Sequence, residues 1–159
     1  MELYLLRHGI AEDQSATGRD QDRALTEEGR QKLRRVLKRA AGAGVAPSLI
    51  LSSPYKRAIE TAEIAASELH YKGEILRVGT LAPESSPPSV WSEIREHRDE
   101  PSILLAGHEP LFSSTVAWLL GSTQEMVDFR KAALVRIDVH TFSASPHGIL
   151  QWMLTVKVS

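Results

Sequence analysis

Cysteine is absent from this 159-residue chain. That excludes disulfides, thiolate zinc sites, iron–sulfur clusters and a cysteine nucleophile, and leaves histidine and carboxylate chemistry open. Neither charge is in excess: 19 Lys and Arg face 20 Asp and Glu, for a formal net charge of -1. Such a chain has no global attraction to DNA, RNA or an anionic membrane, so any basic site has to be local. Long hydrophobic runs are missing, and the opening Met1-Glu2-Leu3-Tyr4-Leu5-Leu6-Arg7 has no basic leader. Neither a signal peptide nor a membrane span is expected, and a cytoplasmic location is. The phosphate-binding Gly-x-x-x-x-Gly-Lys and the dinucleotide Gly-x-Gly-x-x-Gly patterns do not occur, so nucleotide-driven chemistry has no support. No internal repeat or low-complexity block appears either. A chain of this length can bury roughly 70% of its unfolded surface around one core and is too short for two ordinary domains, so one domain over 1–159 is expected.

Short apolar runs are present at Leu3–Leu6, Ser48–Leu51 and Ile103–Ala106, with Glu74–Val78 as a further candidate. Each ends in polar or Gly/Pro punctuation, as expected of strands buried on both faces. Between them Leu33, Val36, Leu37, Ala40 and Ala41 share one helical face, with Thr26 as N-cap, Glu27 and Glu28 in the first turn, and Gly42 and Gly44 at the exit. A second helix is predicted to begin at Ser53-Pro54, with serine as cap and proline in the first position, and to bury Ala58, Ala62, Ala65 and Leu69. A third covers Pro88–His97, with Val90, Trp91 and Ile94 inward. A fourth follows Pro110 and buries Phe112, Val116, Leu119 and Leu120. In the tail, Val135, Ile137 and Val139, then Leu150, Trp152, Leu154 and Val156, alternate with polar residues and predict two half-buried strands of a long hairpin. The pattern implies an α/β fold, a three-layer α/β/α sandwich around a mainly parallel sheet with an antiparallel element near its end.

In open α/β sheets ligands bind beyond the carboxyl ends of the strands. There the sequence places Arg7-His8-Gly9 after Leu3–Leu6, Ser52-Ser53-Pro54 with Arg57 after Ser48–Leu51, and Gly107-His108-Glu109-Pro110 after Ile103–Ala106. A single histidine at a strand end is ordinarily structural, and a single arginine ordinarily salt-bridged. Two of each at three junctions argue for an anion site, because arginine's planar fork suits phosphate or carboxylate oxygens and a helix start adds free N–H groups. Two imidazoles within it suggest chemistry on that anion.

These blocks, together with Leu25-Thr26-Glu27-Glu28-Gly29 and Ser52-Ser53-Pro54-Tyr55-Lys56-Arg57-Ala58-Ile59-Glu60-Thr61-Ala62, resemble the histidine phosphatase superfamily, the phosphoglycerate-mutase-like proteins. The short length, Arg7-His8-Gly9-Ile10-Ala11-Glu12 and Asp22-Arg23-Ala24-Leu25-Thr26 look most like its compact SixA-type phosphohistidine phosphatases. The resemblance implies a phosphoglycerate mutase-like fold, with His8 as the nucleophile that becomes phosphorylated and Arg7, Arg57 and His108 around the phosphoryl group. It adds Arg23 as a further cation from the polar loop and needs no metal or other cofactor. Gly9 is expected to let the main chain turn tightly and approach the phosphate.

Larger members take a proton donor for the leaving group from a glutamate between the second and third blocks. The candidate here is Glu84, although the longer acidic motif is missing. Imidazole leaves phosphorus more readily than an alkoxide, so a weak or absent acid suits phosphohistidine better than a sugar phosphate. The expected substrate is thus a phosphorylated protein, such as a histidine phosphotransfer or phosphocarrier protein in signal transduction. The alternatives are a small-molecule or phosphoserine/threonine phosphatase on the same fold, and a phosphohistidine-binding regulatory module without turnover. Glu84 and Glu109 are the candidates for assisting water. Glu109 does not belong to a zinc-binding His-Glu-x-x-His helix, since position 112 is Phe. His70, His97, His140 and His147 read as structural or exposed. Arg30, Lys32, Arg34, Arg35, Lys38 and Arg39 read as a solvated helix face, with steering of an acidic partner as the alternative.

Overall fold

The computed structural model describes residues 1–158, and of Val158 only the backbone. One six-stranded sheet runs in the order β3-β2-β4-β1-β5-β6, from β1 (Glu2–Arg7), β2 (Leu49–Ser52), β3 (Ile75–Arg77), β4 (Ser102–Gly107), β5 (Leu134–Val139) and β6 (Gly148–Leu154). The first four are mutually parallel, while β5 is antiparallel to β1 and to β6. Four helices cover the sheet: α1 (Glu27–Gly42), α2 (Lys56–Glu68), α3 (Pro87–Glu96) and α4 (Leu111–Leu119).

The pleat sorts the strand residues between two cores. Tyr4, Leu6, Ile50 and Leu104 pack with Leu33, Val36, Leu37, Ala62 and Ala65 of α1 and α2. Leu3, Leu5, Leu51, Ile103 and Leu105 pack with Val90, Trp91, Ile94, Phe112 and Val116 of α3 and α4 on the other side. The three-layer α/β/α arrangement follows from this alternation. β1 and β4, buried on both faces, carry the near-continuous apolar runs that such burial requires. Thr26 caps α1 by accepting from the Gly29 N–H, and Gly44, at φ +86°, takes the left-handed turn that ends it.

Two sequence expectations are corrected. α2 begins at Lys56 rather than at Ser53-Pro54, and Tyr55, its N-cap, makes no side-chain cap bond. The Ser53 N–H still extends the sheet by donating to the Ala106 carbonyl, and its hydroxyl accepts from the Tyr55 N–H at 3.2 Å, so this residue belongs to the turn before the helix. In the terminal hairpin, Leu150, Trp152, Leu154 and Val156 do not share a face. A register shift pairs Arg136 with Trp152 but Ile137 with Leu150, leaving Gln151 as the extra residue of a bulge. Trp152 and Leu154 therefore pack with the α1/α2 core, Leu150 stays 43% exposed, and Val156 lies beyond the strand in a 3-10 turn. Among the described residues no helix is long and apolar enough to cross a membrane.

Candidate active site

The parallel strands β2, β4 and β1 are adjacent, so their carboxyl ends deliver Ser52-Ser53, Gly107-His108 and Arg7-His8 to one edge of the sheet. The backbone continues the sheet far enough to fix them: the His8 N–H donates to the Gly107 carbonyl at 3.0 Å, and the Arg7 N–H to Ala133 at 3.1 Å. His8 and His108 lie with ring centroids 5.3 Å apart. Arg57, in the first turn of α2, reaches them from the side. All three are buried, at 7%, 1% and 6% exposure.

The hydrogen bonds determine the His8 tautomer. Nδ1 lies 2.7 Å from the Gly9 carbonyl, which can only accept, so Nδ1 carries the proton. Arg57 Nε, which can only donate, lies 3.3 Å from Nε2, so Nε2 presents its lone pair. Burial, with Arg57, Arg7 and Lys131 adding to it, holds the His8 imidazolium down to a pKa of about 4, against the opposing Gly9 hydrogen bond. Burial also depresses His108, to about 3, with His8 and Arg57 contributing. Both rings are neutral near pH 7.

Two further polar groups of the cluster are left unsatisfied among the described residues. Arg7 Nη1 donates to the Phe129 carbonyl at 2.8 Å, while its Nε is buried without a partner among the described residues. Burial lowers the Arg7 pKa from its ordinary value. His108 Nε2 meets the Ser53 hydroxyl at 2.8 Å, and its Nδ1 is likewise buried and unpartnered. Unpaired buried polar groups are costly, and two of them beside a pair of arginines suit an oxyanion.

Two of the residues predicted to bind phosphate stand differently. Gly9 has no free N–H to offer, because it donates to Thr61 Oγ1 at 3.2 Å. It has no positive φ, and a Cβ there would lie 3.2 Å from the Gly29 carbonyl. Its missing side chain therefore admits α1 rather than a ligand. Arg23 donates to the Glu12 carbonyl at 2.6 Å and to Asp20 Oδ1 at 2.8 Å, and so joins the cluster through Asp20. Glu84 is exposed in the turn before α3 and makes no hydrogen bond or ion pair with the other predicted residues among the described residues. Glu109 Oε1 accepts from the Ser113 N–H at 2.6 Å, which commits it to the first turn of α4.

The remaining motif residues support the loop carrying His8. The Thr26 N–H donates to the Ile10 carbonyl, and a Cβ on Gly29 would collide with that same carbonyl, so only glycine lets α1 approach so closely. Glu60 accepts from the Leu25 N–H at 2.9 Å and pairs with Arg30, which removes Arg30 from the expected solvated face. Asp20, Thr61 and Glu60 were not predicted as site residues. Threonine and acidic residues in a helix or loop carry no signal of which distant group they meet.

A groove of about 710 Å3 opens beside Arg7, lined also by Lys32, Arg130, Lys131 and Lys157 and by a single acid, Asp128. Arg130 pairs with Asp128, and Lys32 with Glu28. Among the described residues the one grouping with metal-ligand spacing is Glu93, Glu96 and His97 on α3, where Glu93 already bonds His97 and Thr80. The His8 cluster, flanked by guanidinium groups, is a donor set suited to an anion rather than a metal cation.

Comparison with known proteins identifies relatives of this chain. The model for the histidine phosphatase superfamily, branch 1, matches residues 3–77, and an uncharacterized protein of Picosynechococcus sp. is 36% identical over 152 residues, spanning 89% of this chain and 91% of that one. The chain belongs to the histidine phosphatase superfamily. Among solved histidine phosphatases, the protein histidine phosphatase SixA complexed with tungstate is 26% identical, covers 99% of this chain and 98% of its own, and superposes with a TM-score of 0.88. A phosphoserine phosphatase mutant from Entamoeba histolytica, in complex with phosphoserine, covers 98% of each chain at 15% identity and a TM-score of 0.70, a likeness of fold. The six-stranded phosphoglycerate mutase-like fold is thereby established for this chain, and its histidine phosphatase relatives support a phosphatase.

Proposed function

We propose that this histidine phosphatase hydrolyses phosphohistidine on a protein, without a metal, through a covalent phosphohistidine on His8, and that 1–159 acts as one domain. The carrying observation is the His8 tautomer: Nδ1–H is tied to the Gly9 carbonyl and the Nε2 lone pair faces Arg57 Nε. In the first step Nε2 bonds to phosphorus while the bond from phosphorus to the substrate's imidazole nitrogen breaks. The departing nitrogen keeps the electron pair and takes up a proton from water. Arg57 Nε–H is freed from Nε2 as the new bond forms and turns to a phosphoryl oxygen. Arg7 and His108 meet the other oxygens, where negative charge is spread in the transition state. Water then attacks phosphorus and releases a proton to solvent, which balances the one taken up in the first step; the bond to Nε2 breaks with its electron pair returning to the nitrogen, and inorganic phosphate leaves with His8 restored.

Two features favour a protein substrate with an imidazole leaving group. Among the described residues no carboxylate is bonded to the reacting histidines to serve as a strong acid, and the basic groove beside Arg7 gives an acidic polypeptide a place next to the phosphoryl group. Tungstate, a phosphate-like oxyanion, in the similar SixA is consistent with an oxyanion at this end of the sheet.

The test is side-by-side hydrolysis of a phosphohistidine peptide, a phosphoserine peptide and small phosphomonoesters, with and without chelator. The expected order puts phosphohistidine first and leaves it unaffected by chelator. In His8→Ala, turnover and acid-labile phosphate labelling both disappear. Faster hydrolysis of the esters would favour the small-molecule reading, binding of the phosphopeptide without turnover the regulatory one, and full activity of His8→Ala would overturn the mechanism.

A further inference from the structure

Asp20 lies in the 3-10 turn Asp20–Asp22, within the polar loop between β1 and α1. Its two carboxylate oxygens are divided between two of the site's cations: Oδ1 accepts from Arg23 Nη1 at 2.8 Å and Oδ2 from Arg57 Nη2 at 3.2 Å. Its carbonyl accepts from Arg57 Nη1 at 3.0 Å. The Nε and Nη2 hydrogens lie along one edge of the planar guanidinium, the edge that receives a carboxylate or phosphate in bidentate fashion. In Arg57 the Nε end of that edge points at His8 Nε2 and the Nη2 end is held by Asp20. A phosphoryl group bonded to Nε2 requires both ends.

We infer that Asp20 is an internal competitor for phosphate: its carboxylate must give up Arg57 Nη2 when a phosphoryl group enters, and it returns to expel the inorganic phosphate product. This rests on the proposed phosphate site at His8. The loop is suited to the exchange because its turn is held by its own bonds, Ser15 to the Arg19 carbonyl and Thr17 and Arg19 to Asp22, none of which involves Asp20. The Asp20 side chain is 57% exposed, so water can take its charge when it swings away. The Arg23 hydrogen bond, and then Arg57, keep its carboxyl below the usual range against the opposing effect of burial, so it competes as an anion at neutral pH.

The experiment is calorimetric titration of inorganic phosphate into the wild-type protein, Asp20→Asn and Arg57→Ala, with product inhibition measured in parallel. Asparagine keeps the shape and removes the charge. Asp20→Asn is expected to bind phosphate roughly fivefold more tightly, as a partly exposed ion pair permits, with a lower inhibition constant, while Arg57→Ala binds it far more weakly than wild type. Unchanged affinity in Asp20→Asn would overturn the competition. Weaker affinity would also overturn it, making Asp20 a positioning residue for Arg57. No phosphate binding by wild type or Asp20→Asn would overturn the phosphate site itself and this inference with it.

Discussion

Arg136 and Arg57 both direct the Nε–Nη2 edge of the guanidinium at neighbours on a different element of the same small protein or on their own strand. On β5, Arg136 donates from Nε to Asp138 Oδ1 at 2.9 Å and from Nη2 to Asp138 Oδ2 at 3.2 Å, with Glu2 at 3.1 Å as a second acid. One carboxylate fills the whole edge, and its hydrogen bond raises the Arg136 pKa above the ordinary value. At the sheet's carboxyl edge, Arg57 divides the same edge between a neutral imidazole and one oxygen of a loop carboxylate. A guanidinium whose edge is filled by a single carboxylate has a structural pair. One whose edge is split between an imidazole and an exposed loop carboxylate has no single carboxylate to hold it.

Replacing each arginine in turn tests that contrast. Arg57→Lys keeps the charge and loses the edge, and is expected to lower kcat/KM about a hundredfold or more with little change in stability. Arg136→Met is expected to leave kcat/KM unchanged and to cost about 1 kcal/mol of stability, since the group is partly exposed. Activity assays and urea unfolding on both variants check the pair; equal loss of activity would remove the distinction.

A smaller effect comes from pH, because the Arg57 region contains two titrating histidines and the Arg136 pair has none. His8 and His108, at about 4 and about 3 in the folded protein, stand near 6.5 when unfolded. Between those values the unfolded chain binds more protons, so stability is full above about pH 6.5 and falls as pH drops toward 4. Urea unfolding at about pH 7 and pH 5 is expected to show this fall. It should be flatter in a His8→Asn, His108→Gln double variant, and an equal slope would show that the histidines are not held neutral. The smallest effect is expected outside both clusters: Glu84→Gln, exposed and unbonded, should change phosphohistidine hydrolysis by less than about threefold, whereas a steep loss would restore it as an acid.

How much of this was legible beforehand depended on the range of the interaction. Arg7, His8, Arg57 and His108 were readable as a group because apolar runs mark parallel strands and parallel strands place their ends together. The helical stripes were readable for the same local reason. The start of α2 was not, because the Ser53 hydroxyl, a good cap by composition, meets His108, 55 positions away. The bulge at Gln151 was invisible because it depends on register against β5, and alternation alone continues through it. Glu84 was a candidate only by its position between motifs, and among the described residues no hydrogen bond joins it to the cluster.

The three strand-end motifs determined by themselves that two histidines and two arginines would meet at a locally basic site on an α/β sheet, and the absence of cysteine removed one covalent nucleophile from it. These properties are carried by residue type and by periodicities of two and 3.6, which are local to the chain. The tertiary structure alone decided the protonated nitrogen of His8, the commitment of the Gly9 N–H to Thr61, and the division of Arg57 between His8 and Asp20. Each is a hydrogen bond whose geometry depends on where the folded backbone places its partner, and for Thr61 and Arg57 those partners come from distant parts of the chain.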